Sequence, residues 1–167
     1  MPKHFQFEAL VRSVLPELHS YALWLSRDPH LAEDLVQESL LRAWRSLHTL
    51  REAGAAKSWL MMIIRREHAR YYERQRPVPM DIQAVDFPEA LLTHRDEDPE
   101  IAELRRAIFE LAQDYREPLV LQVLLGYSTK EIAEIMDVSQ GAVLTRLFRA
   151  RKQLQKKLAT EDEIAQK

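Results

Sequence analysis

An all-α fold follows from three observations. The 167-residue chain holds only three glycines, apolar residues recur at helical spacing along nearly its whole length, and no stretch shows the alternation of a half-buried strand. With 46% hydrophobic residues there is enough apolar surface for packed cores, and the length suits one ordinary domain or two small ones. The spacing predicts helices near 5–26, 30–48, 57–75, 100–113, 116–125, 129–136 and 140–158.

In the second helix, HLAEDLVQESLLRAWRSL, Ala32, Val36, Leu40, Ala43 and Leu47 form a buried side. Asp34, Gln37, Leu41 and Trp44 form a stripe on or near the other side. A lone exposed leucine is ordinary, but an acid, an amide, an aliphatic and an indole in one stripe have the mixed character of a protein-binding face. In the third helix the spacing of Trp59 with Leu60, Ile63 and Ile64 reads as core rather than as a base-stacking surface.

Between Arg76 and Pro99 the segment RPVPMDIQAVDFPEALLTHRDEDP carries four prolines and an acid cluster but no helical stripe. It is too long for a loop inside one compact domain and reads as a linker over 77–99. Two small helical domains result, a three-helix unit over 1–76 and a four-helix unit over 100–167.

The capping box Ser128-Thr129-Lys130-Glu131 starts the sixth helix, whose apolar stripe is Ile132, Ile135 and Met136. Ala133 is small enough for another helix to approach. Asp137-Val138-Ser139 has the length of a helix-turn-helix connection, and Ser139 can cap the last helix. There Val143, Leu147, Ala150 and Leu154 fall together facing inward, leaving Thr145, Phe148, Arg149 and Lys152 on the opposite, cationic side. A merely amphipathic surface helix needs none of this punctuation, whereas a recognition helix needs a brace across the groove.

A net charge of −2 looks unfavourable for a nucleic-acid binder, but the distribution reverses that reading. Lys57, Arg65, Arg66, Arg70, Arg74 and Arg76 face only Glu67 and Glu73 in their stretch, and Leu144 to Leu158 has six basic residues and no acid. Two basic islands thus sit in an acidic protein. Without cysteine there is no disulfide framework or thiolate metal site. The six histidines show no ligand spacing, and no phosphate loop or nucleophile motif occurs, so neither enzyme activity, metal nor cofactor is expected. The start, MPKHFQFEALVRSV, lacks a signal-peptide core and no run suits a membrane helix, which makes a cytoplasmic location without membrane insertion the expectation.

Three blocks, AEDLVQESLLRAWRSL, SWLMMIIRREHARYYERQR and LVLQVLLGYSTKEIAEIMDVSQGAVLTRLFRARKQL, in this order and separation, resemble the extracytoplasmic-function (group IV) sigma factors of bacterial RNA polymerase. The resemblance implies a sigma region 2 domain that binds the polymerase clamp and the promoter −10 element, and a region 4 domain that binds the flap and the −35 element. Asp34, Gln37, Glu38 and Leu41 fall where the family contacts the β′ clamp helices. The loop His48 to Lys57, with Gly54, falls where a base flipped from the −10 strand is caught, and Arg65, Arg66, Arg70 and Arg74 are implied along the single-stranded backbone. Tyr71 or Tyr72 offers either a stacking face or ordinary packing. Thr145, Arg146, Phe148, Arg149 and Lys152 are implied at the −35 element.

The chain departs from the family's pattern at three of these places. Many members carry asparagine near Arg66, an acid near Arg70, and a basic residue at Leu144. The acidic linker matches the segment that threads toward the polymerase active-site channel. The implied partners are core RNA polymerase, through the β′ clamp helices and the β flap, promoter DNA, and an anti-sigma factor. The competing readings are a stand-alone helix-turn-helix regulator, which leaves the first two blocks idle, and a sigma-mimicking interaction protein.

Overall fold

The computed structural model describes residues 3–75, 87 and 98–167. The chain divides into two compact units, Met1–Val85 and Asp86–Lys167. Among the described residues there is no strand.

The first unit contains α1 (Lys3–Ser26), α2 (Pro29–Arg45) and α3 (Ala56–Gln75), each packed against the other two. Leu18, Tyr21 and Trp24 of α1 meet in a core with Val36 and Ala43 of α2 and Leu60, Met61 and Ile64 of α3, all buried. Arg27, at φ 56, breaks α1 by entering the left-handed region. Asp28 then caps α2, its carboxylate accepting from the backbone N–H groups of His30 and Leu31, while Pro29 at the first turn has no N–H to satisfy. Lys57 reaches Glu17 at 2.7 Å and ties the start of α3 to α1.

The second unit contains α4 (Pro99–Phe109), α5 (Gln113–Leu119), α6 (Thr129–Met136) and α7 (Gln140–Ala165). Pro118 lies within α5, which loosens into a π turn over Val120–Leu124 where Leu125 N–H bonds the Val120 carbonyl. A proline removes one ladder hydrogen bond, and such widened turns absorb the mismatch. Buried Arg116 donates from Nη1 to the Leu111 carbonyl at 2.7 Å and holds the α4–α5 turn.

Several helix ends differ from the sequence expectation. α2 stops at Arg45 rather than 48, because the Ser46 hydroxyl donates back to the Arg42 carbonyl and a 3₁₀ turn, Leu47–Thr49, follows. α4 ends at Phe109 and α5 begins at Gln113, since the intervening turn is what lets Leu111 become buried. α7 runs to Ala165 rather than 158, its tail alongside α4, with Lys157 paired to Glu110. Most of the expected linker lies outside the described residues. Its Phe87 packs edge-on against Phe109, ring centroids 5.1 Å apart, and Asp98 caps α4 by accepting from Glu100 N–H.

The tail of α7 brings acidic residues beside α4. The Glu103 carboxyl on α4 is raised above its ordinary value, first by its hydrogen bond with Glu161 and then by burial and by the charges of Glu161, Asp162 and Glu100. A raised carboxyl contributes stability at acid pH that is lost as pH rises through its folded value. The unfolding midpoint of Glu161→Gln relative to wild type should therefore rise as pH goes from acid to neutral, as measured by thermal melts of both proteins across that range.

Candidate polymerase and promoter interfaces

The rotation of α2 is fixed by what it buries: Ala32, Leu35, Val36, Ser39 and Ala43. Leu35 and Ser39 extend the buried side beyond the expected stripe, while Leu40 and Leu47 are only half-buried, because α2 is gripped by both α1 and α3. Asp34, Gln37, Leu41 and Trp44 are all exposed, Leu41 by 52% and Trp44 by 41%. Trp44 leans on Phe7 of α1 at 5.5 Å, and the two line a shallow groove with Val11 and Leu40. Glu38 is half-exposed and lies 3.6 Å from Arg42.

On α3, Arg66, Arg70 and Arg74 repeat every four residues and are exposed, whereas Arg65 lies about 100° away around the helix and is half-buried. Tyr72 is 40% exposed and stands edge-on to both Tyr71 and the buried His68, so of the two tyrosines it has the more open ring. Trp59 is half-buried beside buried Leu60, Ile63 and Ile64. The connection from α2 is exposed at Arg51 to Ala55 and contains the 3₁₀ turn Ala53–Ala55.

Between α2 and α3 lies a concavity of about 310 Å³ lined by Arg42, Arg45, Ser46, Ile63, Arg66, Glu67 and Arg70. The sequence reading assigned Arg66 and Arg70 to a site but not Arg42, Arg45 or Glu67. The two additional arginines are visible as the basic last turn of α2, but only the packing of α2 on α3 brings them beside Arg66 and Arg70.

The second unit builds its surface on α6 and α7. Both halves of the capping box form, Glu131 N–H donating to Ser128 Oγ at 3.2 Å and Ser128 N–H to Glu131 Oε2 at 2.7 Å. Ile132, Ala133, Ile135 and Met136 are buried. Asp137 takes the left-handed conformation, φ 55, and ends α6, and Ser139 Oγ accepts from Ala142 N–H to start α7. Val143, Leu147, Ala150 and Leu154 are the buried residues of α7.

The opposite face presents Thr145, Phe148, Arg149 and Lys152, all exposed, with Arg146 half-buried at its border. The Lys152 ammonium sits 4.6 Å from the Phe148 ring centroid. Thr145 turns its hydroxyl back to the Gly141 carbonyl at 3.0 Å. Leu144 and Phe148, four residues apart, are 57% and 58% exposed. Arg151, which the sequence counts in the basic island, donates instead to Gln122 of the π turn.

A two-unit helical chain whose second unit is a capped helix-turn-helix with a cationic outer face belongs to the class of DNA-binding transcription factors. Residues 10–78 match the family model of sigma-70 region 2, and residues 101–154 match that of sigma-70 region 4. The chain is 38% identical over 138 residues to an ECF RNA polymerase sigma-E factor of Haemophilus influenzae, covering 75% of this chain and 73% of that one. It is 29% identical over 152 residues to the ECF sigma factor SigM of Bacillus subtilis, covering 88% and 91%. Among solved structures it superposes with a TM-score of 0.76, at 29% identity and covering 92% and 97% of the chains, on the sigma factor RpoE crystallised with the anti-sigma factor NepR from Bartonella quintana.

The chain therefore belongs to the extracytoplasmic-function sigma factors. It is an alternative sigma factor serving promoter recognition and transcription initiation, in a family of non-enzymatic initiation factors that bind core RNA polymerase and promoter DNA. No helix among the described residues is long and apolar enough to cross a membrane.

The cap at Ser128 orients the whole motif. Ser128→Ala should destabilise the protein by about 1 kcal/mol, and thermal unfolding should register it, because one amide at the start of α6 loses its acceptor.

Proposed function

We propose that Asp34, Gln37, Glu38 and Leu41 on α2 bind the clamp of core RNA polymerase, that Arg65, Arg66, Arg70 and Arg74 on α3 follow the −10 strand, and that Thr145, Arg146, Phe148, Arg149 and Lys152 on α7 contact the −35 element. The observation that carries this reading is the division of α7. One side is buried at Val143, Leu147, Ala150 and Leu154, and from Leu144 to Leu158 the sequence has no acid at all. An α-helix fits the major groove, where arginine can fork onto guanine O6 and N7 and apolar side chains can meet a thymine methyl. Leu144 and Phe148 supply the apolar contacts and Arg149 the fork.

On α2 the same logic supports a protein partner. Leu41 and Trp44 are large, exposed and flanked by an acid and an amide, the composition of an interface core with a polar rim. The functional domains are taken as 1–76 and 100–167, with 77–99 as the connection. An anti-sigma factor that masks these surfaces is the natural regulator, by analogy with the relative crystallised with NepR. The cytoplasm is the compartment in which such a factor meets polymerase.

Leu41→Ala should weaken binding to core polymerase by roughly 5- to 10-fold, the effect of truncating an interface anchor, with an unchanged melting temperature. Titration of labelled protein with core enzyme measures this, and equal affinity for both forms would remove α2 from the interface.

Arg149→Ala should flatten discrimination among −35 variants in the holoenzyme by about 1–3 kcal/mol at one base position while leaving core affinity intact. A substitution series read by run-off transcription provides the measurement. Lys157→Ala should leave the series unchanged, since Lys157 is occupied by Glu110.

A further inference from the structure

Among the described residues, Glu67 is the one carboxylate beside the four guanidiniums that line the α2–α3 concavity. Its side chain is only 5% exposed, and its Oε1 takes Arg70 Nη1 at 2.9 Å from its own helix and Arg42 Nε from α2. Arg42 in turn lies 3.6 Å from Glu38. Among the described residues no acid pairs with Arg45 or Arg66 on the same rim.

A buried carboxylate that holds two arginines from two helices is expensive to desolvate, and replacing a whole buried ion network by apolar groups is often neutral for stability, whereas removing one member alone is not. Its position here has a different consequence. An arginine has five N–H donors in a rigid fork, so a guanidinium bonded to Glu67 through Nη1 still presents Nη2 and Nε to a second anion. Without Glu67, Arg70 is a flexible surface side chain that loses rotamer entropy on meeting a phosphate. With it, that entropy is already lost in the folded protein.

We propose that Glu67 is a positioning residue for promoter binding: it fixes Arg70, and through Arg42 the concavity itself, so that Arg70 and Arg66 together grip a backbone phosphate of the single-stranded −10 region. This rests on the assignment of Arg70 to that strand. The sign of the effect separates positioning from charge. By electrostatics alone, removing an acid from an anion site tightens binding. Positioning predicts the reverse.

The test uses holoenzyme and a promoter fragment selected by the wild-type holoenzyme from genomic DNA, with open-complex affinity measured over a range of salt. Glu67→Gln should weaken the complex about 3- to 5-fold, the size of one partly exposed charge contact, with core affinity unchanged. In an Arg70→Ala background, where the salt slope should already be lower by roughly one unit, Glu67→Gln should have no further effect. A structural role for Glu67 would lower affinity equally in both backgrounds, and that result overturns the proposal, as does binding that is unchanged or tighter in Glu67→Gln alone. If Arg70→Ala itself leaves affinity and salt slope untouched, the assignment of Arg70 to DNA fails first and the proposal with it. Should Glu67→Gln fail to fold, Arg70→Lys decides: positioning of a planar fork predicts a loss close to that of Arg70→Ala, and full rescue by lysine overturns it.

Discussion

Burial of Val143, Leu147, Ala150 and Leu154 against α5 and α6 fixes the rotation of α7, and that rotation decides which side chains the helix presents outward. At 3.6 residues per turn a helix cannot bury one stripe without committing the opposite one to solvent. The helix is held at its start by Ser139 and braced by α6, itself held by the Ser128–Glu131 box. Phe148 and Arg149 need no partner of their own to be oriented, because the residues behind them are packed. In the first unit α2 obeys the same constraint, with Ala32, Leu35, Val36, Ser39 and Ala43 inward and Leu41 outward.

Charge follows a second logic. The protein is slightly acidic overall, yet its cations are concentrated where helices face out, so local fields rather than net charge set the affinity for nucleic acid. Not every cation in an island is available for it. Arg151 bonds Gln122 and Lys157 pairs with Glu110, which makes both of them struts of the second unit. Arg42 and Lys57 are likewise engaged, by Glu67 and Glu17, whereas Arg70, though held by Glu67 through Nη1, stays exposed with the rest of its fork open. Arg66 and Arg74, two turns apart on α3, and Arg149 on α7 are exposed and pair with no acid among the described residues.

The departures from the family pattern gain a physical setting. Leu144, where many members are basic, is an exposed apolar residue one turn from Phe148, and together they give α7 an apolar patch beside its cationic face. Arg66 and Arg70, where many carry an amide or an acid, make the α2–α3 concavity more cationic than that pattern implies. Glu67 at its floor offsets part of the mutual repulsion of four guanidiniums.

The sequence by itself determined the helical class, the helix-turn-helix with its two caps, and the buried stripes of α6 and α7, because caps and 3.6-residue periodicity are local signals carried by adjacent residues. It also marked Leu41 and Trp44 as exposed, since their angular distance from Ala32, Val36 and Ala43 is fixed by the helix alone. It misjudged the ends of α2, α4 and α7: the Ser46 back-bond, the burial of Leu111 and the packing of the α7 tail beside α4 depend on contacts between elements. For the same reason only the tertiary structure placed Arg42 and Arg45 of α2 beside Arg66 and Arg70 of α3. It alone set Glu67 beneath them, where an acid that reads in sequence as one interruption of a basic island becomes the group that two arginines share.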